Sequence, residues 1–130
     1  MQGMNDAGTM TMAPGVPIDI AKLRDRLQDD TVLLTELAQL FLEDAPKQIE
    51  HIRVAILRRD TRGMEMSAHA LKGAASVFLA TPLADAARLL ENKGHHGTLA
   101  NVREDFEILE EEWARLVPEL NQLCLVAQTS

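Results

Sequence analysis

Apolar positions along the chain recur at alternating steps of four and three, the spacing of one face of an α-helix. Met64, Ala68, Leu71, Ala75 and Phe78 form the tightest stripe, and Val102, Phe106, Leu109, Trp113, Leu116, Leu120 and Leu123 the longest. Leu34, Leu37, Phe41, then Ile49 or Gln48, Ile52 and Ile56 form a third. Leu83, Ala86, Ala87 and Leu90 form a fourth, with Leu89 a further inward candidate. A shorter set (Ile18, Ile20, Leu23, Leu27) follows Pro17 and predicts a short helix with Asp19 available as its cap. No run alternates apolar and polar residues as a half-buried strand does.

Breaks between the stripes set the boundaries. Asp29-Asp30-Thr31 is a helix start, acceptor side chains ahead of an apolar run. Pro46 should kink or split the helix that follows near Ala45, because proline removes a hydrogen bond and clashes with the preceding turn. Asp60-Thr61-Arg62-Gly63 reads as a turn, with the next helix running to about Leu79. Thr81-Pro82 predicts Thr as N-cap and Pro at the first helical position. Gly94 is the expected left-handed residue that closes that helix, and Pro118 predicts a bend in the last one. Four helices with short connections predict an all-α fold, an antiparallel up-down-up-down four-helix bundle with a short extra N-terminal helix. Residues 1–16 read as a flexible tail and 17–126 as the domain.

Composition agrees with a globular helical chain. It is 46% apolar and 25% charged, with aromatics only 3%. A formal net charge of −7 argues against nucleic acid and anionic membrane surfaces, both of which need a basic footprint. No apolar run approaches the ~20 residues of a membrane span, and no signal peptide is evident, so a cytoplasmic protein is expected. The single cysteine, Cys124, lies among Leu123, Leu125 and Val126 and reads as a core thiol.

The chemistry concentrates beside the tightest stripe. His69 stands about 100° of rotation from it, and Lys72, Gly73 and Ser76 follow at i+3, i+4 and i+7 on the same side. A lone histidine on a helix is usually a surface or capping residue. Here its neighbours give it a use. An imidazole near neutral pH carries a nitrogen lone pair that can attack phosphorus. Lys72 supplies a compact positive charge one turn away for a phosphoryl group on that nitrogen. Gly73 in mid-helix costs roughly 1 kcal/mol against alanine and clears room beside His69 for another protein.

Other candidates are weaker. His95 and His96 are adjacent, so in a helix they face apart, and with His51 they read as solvated loop residues rather than metal ligands. Glu110-Glu111-Glu112 reads as a solvated face, since successive helical residues point about 100° apart. No metal site is expected. There is no glycine-rich phosphate loop, so any phosphate on His69 must be delivered by another protein.

His69-Ala70-Leu71-Lys72-Gly73-Ala74-Ala75 resembles the H-x-L-K-G-(S/A)-(S/A) signature of histidine-containing phosphotransfer (HPt) domains. The resemblance extends through Phe41-Leu42-Glu43-Asp44-Ala45-Pro46 and through Leu83 to Leu90-Glu91, covering about Ile18 to Leu120. It implies that His69 carries phosphate on Nε2 in a bacterial two-component phosphorelay. The phosphoryl group would come from a receiver-domain aspartyl-phosphate or a histidine kinase and pass to the aspartate of a response-regulator receiver, with the receiver domains of a response regulator and of a hybrid histidine kinase as the partners. It further implies that Lys72 supports the phosphoryl group, that Gly73 gives clearance, and that Glu91 orients the imidazole through Nδ1. Ala70, Ser76 and Val77 are the expected docking residues around His69. Mg²⁺ would belong to the receiver's acidic pocket, and this chain would be a carrier, not an enzyme, and a monomer. The chain departs from the pattern at Leu79-Ala80, where Gly-Ala is usual, and at Val77, where Asn or Gly is common.

Two other readings share the bundle. One is the N-terminal phosphoacceptor domain of a chemotaxis-type kinase, fed by an ATP-binding domain. The other is a docking module that does not carry phosphate.

Overall fold

A computed structural model describes residues 20–27 and 30–129. The expected tail (residues 1–16), together with Pro17, Ile18 and the cap Asp19, lies outside the described residues. Among the described residues five helices follow one another: α1 (Ile20–Arg26), α2 (Thr31–Leu57), α3 (Thr61–Val77), α4 (Thr81–His95) and α5 (Val102–Thr129). No strand occurs among the described residues. The long helices α2 to α5 form an antiparallel bundle in which α2 packs on α3 and α5, and α4 packs on α3 and α5. The backbones of the diagonal pairs, α2 with α4 and α3 with α5, do not approach each other closely among the described residues. No helix among the described residues is long and apolar enough to cross a membrane.

The predicted stripes converge on one core. Met64, Ala68, Leu71, Ala75 and Phe78 are all buried, as are Leu34, Phe41, Ile49 and Ile52 from α2 and Val102, Phe106, Leu109, Leu116, Leu120 and Leu123 from α5. Leu83, Ala86, Ala87 and Leu90 close it from α4, whereas Leu89 points outward. Leu23 of α1 is fully buried against one end of the bundle. Phe41 stacks on Phe78 at 5.1 Å between ring centres and meets Trp113 edge-on at 5.3 Å, so three helices share one aromatic contact.

The helix ends repeat one device. Arg59, Leu79 and Gly97 each adopt a positive φ of 57°, 55° and 69°. After each, an amide reaches back across the turn: Asp60 N–H to Ala55 O, Ala80 N–H to Ala75 O, and Thr98 N–H to Lys93 O. Asp30 and Asp60 then cap the next helices by accepting from Leu33 N–H at 3.0 Å and Gly63 N–H at 2.9 Å.

Three local expectations need correction. Of the kink or split expected at Pro46, the split does not occur: α2 runs unbroken through it. Pro46 is exposed, so the Leu42 carbonyl that loses its donor can turn to water. Pro118 lies inside α5, where the sequence places it, and is also exposed. Thr81 is not the N-cap of α4. Ala80 holds that position with no side-chain bond, and Pro82 still falls in the first turn, where no N–H is needed. Gly94 does not end α4; it is buried within the helix, which continues to His95, and Gly97 is the left-handed glycine.

Candidate functional site

α3 places His69, Lys72, Gly73 and Ser76 along one ridge, because its apolar stripe fixes the helix's rotation against the core. The His69 side chain is 68% exposed, and Ala70, Gly73 and Ser76 are exposed beside it. Val77, at the helix end, is exposed as well. The Ser76 hydroxyl donates to the Lys72 carbonyl at 2.9 Å and so turns inward on its own helix.

The neighbouring helix completes the constellation. Leu90 is buried in the core and Glu91 follows it on α4, facing the α3 ridge. Its carboxylate straddles two partners: Oε2 lies 2.5 Å from His69 Nδ1, and Oε1 lies 2.7 Å from Lys72 Nζ. Glu91 is only 16% exposed and Lys72 30%. The Lys72 ammonium holds the Glu91 carboxyl below the usual carboxylate range, and the His69 hydrogen bond acts in the same direction against the opposing effect of burial. An ionised carboxylate can only accept, so Nδ1 of His69 carries the proton and donates it to Glu91. The lone pair of a neutral imidazole is then left on Nε2, the nitrogen that does not face Glu91. The arrangement presents one nucleophilic nitrogen to solvent with a half-buried cation and anion behind it.

The glycines behave differently. A Cβ on Gly73 would meet nothing within 4 Å, so the chain's own packing does not call for a glycine there. A Cβ on Gly94 would lie 2.6 Å from the Thr61 carbonyl oxygen and 2.8 Å from the Glu65 nitrogen. Gly94 is therefore the close-approach residue that lets α4 lie against α3 and bring Glu91 within reach of His69.

Several residues near the site carry no signal in the sequence. Arg26 of α1 donates to the Ser76 carbonyl at 3.3 Å. Together with Lys72, Thr81, Asp85 and Arg88 it lines an open cleft of about 350 Å³ next to the ridge. These side chains come from three helices and meet only in the folded chain. Of the remaining histidines, His51 lies exposed on α2, not in a loop. His95 ends α4 and pairs with Glu65 of α3 at 3.0 Å, while His96 Nδ1 donates to the Asn92 carbonyl at 2.7 Å. Among the described residues no group of three or more His, Cys, Asp or Glu side chains is placed to hold a metal ion. Cys124 is half-buried, and burial pushes its thiol up, away from thiolate reactivity.

A family model described as the Hpt domain matches residues 36–124, well over half of the chain. The chain belongs to the Hpt domain family. The matched span begins inside α2, holds all of α3 and α4, and so contains the His69, Lys72, Gly73 and Glu91 cluster. Hpt domains are histidine phosphotransfer modules of phosphorelays. Among solved structures, the fold is similar to that of histidine-containing phosphotransfer protein B (HptB) from Pseudomonas aeruginosa PAO1, with a TM-score of 0.75 at 24% identity. That match covers 91% of this chain and 98% of the other, so the helical bundle of this Hpt domain is shared over nearly its whole length. No curated protein sequence matches the chain.

Proposed function

We propose that the protein is a phosphorelay carrier whose His69 accepts a phosphoryl group on Nε2 from the aspartyl-phosphate of one receiver domain and passes it to the aspartate of another. The observation that carries this reading is the Glu91 bridge, with 2.5 Å to His69 Nδ1 and 2.7 Å to Lys72 Nζ. It directs the lone pair outward at an exposed imidazole on a chain of the Hpt family.

In the first step the Nε2 lone pair forms a bond to phosphorus as the bond from phosphorus to the aspartyl oxygen breaks, leaving the donor carboxylate. No proton has to move, because Nδ1 keeps its hydrogen. The ring becomes a phosphorylated imidazolium, and Glu91, already ionised, stabilises that positive charge through Nδ1–H. Lys72 lies near enough to Nδ1's partner to turn from Glu91 toward the phosphoryl oxygens. Onward transfer is the same displacement in reverse. Gly73 leaves the space above the ridge open for the receiver, which docks over Ala70, Ser76 and Val77. The Mg²⁺ of the reaction belongs to the receiver's acidic pocket, and the chain itself works as a carrier, without a nucleotide site.

The test is phosphotransfer from a radiolabelled phospho-receiver, with Mg²⁺, to the wild-type protein and to His69→Gln. The expected product is label on the wild type alone, lost in acid and stable in base. Label that persists on His69→Gln, or none from a broad panel of receivers, would remove the proposal in favour of a docking module. Label supplied only by a separate ATP-dependent kinase domain would favour the chemotaxis-type phosphoacceptor.

A further inference from the structure

We infer that the cleft lined by Arg26, Lys72 and Arg88 is a basic docking latch that receives acidic side chains of the receiver while its aspartate sits on His69. The inference rests on the phosphocarrier reading above and names a partner chemistry and two residues, Arg26 and Arg88, which that reading does not use.

Three observations converge on it. The first is the charge of the lining. Among the described residues that line the cleft, Arg26, Lys72 and Arg88 meet one acid, Asp85, which pairs with Arg88 at 2.7 Å from its own helix. Lys72 is already balanced by Glu91, and the hydrogen bond Arg26 makes is to a neutral carbonyl, so a positive charge faces an open cavity of about 350 Å³.

The second is position. Ser76, on the cleft wall, is seven residues along α3 from His69, about 10 Å at the rise of an α-helix. A stable protein interface covers about 800 Å² on each partner, roughly a disc of 16 Å radius. A receiver that centres its aspartate on His69 therefore also covers the cleft.

The third is the contrast with the rest of the molecule. The net charge is −7. Helix α5 alone carries seven acidic and two basic side chains, and it stands diagonally opposite α3 across the bundle. Helix α3 carries one acid, Glu65, against Arg62 and Lys72. A partner with an acidic phosphorylation pocket is repelled by most of this surface and attracted at the cleft. The field thus orients the encounter, and the attraction falls off with salt.

Half-maximal receiver concentrations for labelling His69 are measured at several salt concentrations with a receiver that phosphorylates the wild type. The proteins compared are the wild type, Arg88→Gln, Arg26→Gln with Arg88→Gln, and Arg103→Gln as an equal charge change on α5. Arg88→Gln removes an ion pair made within α4 itself, and circular dichroism of each variant separates a docking effect from misfolding. The expected result is a rise of about tenfold for the double variant and a smaller rise for Arg88→Gln, with a flatter salt dependence in both and neither change in Arg103→Gln. Values and salt slopes equal to the wild type in both cleft variants, or an equal effect from Arg103→Gln, would overturn the inference. So would a loss confined to the maximal rate. If His69 of the wild type takes no label from any receiver, the phosphocarrier reading fails and the latch with it; if it is labelled and the cleft variants match it, the latch alone fails.

Discussion

Gly94 of α4 approaches Glu65 of α3 so closely that a Cβ on the glycine would stand 2.8 Å from the Glu65 backbone nitrogen. Glu91 lies one helical turn before Gly94, on the same side of α4. The spacing of the two backbones at Gly94 therefore sets how far Glu91 must reach to bridge His69 and Lys72. Gly73 is the opposite case, a helical glycine with open space where its side chain would be. One glycine serves the internal contact between helices, and the other leaves a surface bare.

Gly94→Ala is expected to destabilise the protein, by up to about 2 kcal/mol. The overpacking cost of roughly 1–3 kcal/mol outweighs the better helix propensity of alanine, about 1 kcal/mol, because the obstructing atoms are backbone and cannot rotate away. Chemical denaturation measures it. A variant as stable as the wild type would mean that α3 and α4 separate without penalty.

Gly73→Ala is expected to do the reverse for stability, raising it by about 1 kcal/mol, since the added methyl meets nothing and removes a mid-helix glycine. Under the carrier reading the same change weakens docking, and Gly73→Leu weakens it further, seen as a higher half-maximal receiver concentration in the transfer assay. Stabilisation together with wild-type transfer in both variants would remove the clearance role.

The ridge of α3 was legible because it depends only on helical period. Once Met64, Ala68, Leu71, Ala75 and Phe78 are taken as the buried stripe, the positions of His69, Lys72, Gly73 and Ser76 follow by rotation. Gly94 was misread for a physical reason. A glycine near the end of an apolar stripe looks the same in sequence whether it ends the helix or admits another helix, and only the Thr61 and Glu65 backbone tells them apart. Thr81 misled in the same way, since Ala80 can take the cap position without a side-chain bond. Arg26 and Arg88 had no local signal, because their meeting place is made by three helices at once. The Lys93 ammonium, which donates to the Ala100 carbonyl at 2.8 Å and pairs with Asp105, ties the α4–α5 connection by the same kind of nonlocal contact.

The left-handed residues that end α2 and α3 give a further expectation. A non-glycine residue at positive φ costs about 1–2 kcal/mol, part of which a glycine returns through its greater freedom in the unfolded chain. Arg59, at φ 57°, is exposed, so Arg59→Gly is expected to stabilise by about 0.5–1 kcal/mol, a rise of ~2–6 °C in Tm. Leu79, at φ 55°, packs against the core, so Leu79→Gly gains the same backbone relief and loses apolar contact. Thermal melts should show a clear rise for Arg59→Gly and a smaller rise or a fall for Leu79→Gly. Equal rises would mean that the Leu79 side chain contributes nothing to the core.

Glu91 gives the pH dependence. Its carboxyl is held below the ordinary glutamate value, first by Lys72 and then by His69. A carboxyl depressed in the folded state contributes stability in full above its unfolded value of about 4.3, and loses it as pH falls through the lower folded value. The carboxyl carbon of Glu91, followed by NMR, should therefore titrate below about 4.3 in the wild type and move upward in Lys72→Met, where burial is no longer opposed by the ammonium. Glu91→Gln should cost stability at neutral pH and cost less in acid, once the wild type has also lost its charge. The same variant gives Nδ1 of His69 a neutral acceptor in place of an ionised one. A hydrogen bond to a charged group contributes about 1.5–3 kcal/mol, so phosphotransfer to Glu91→Gln should slow by roughly 10- to 100-fold if that charge is needed as the ring becomes an imidazolium. Imidazole nitrogen shifts of His69 report the cause directly, with the Nδ1–H form dominant in the wild type and a mixture in the variant. Unchanged shifts with unchanged transfer would mean that Glu91 ties α4 to Lys72 without orienting the histidine.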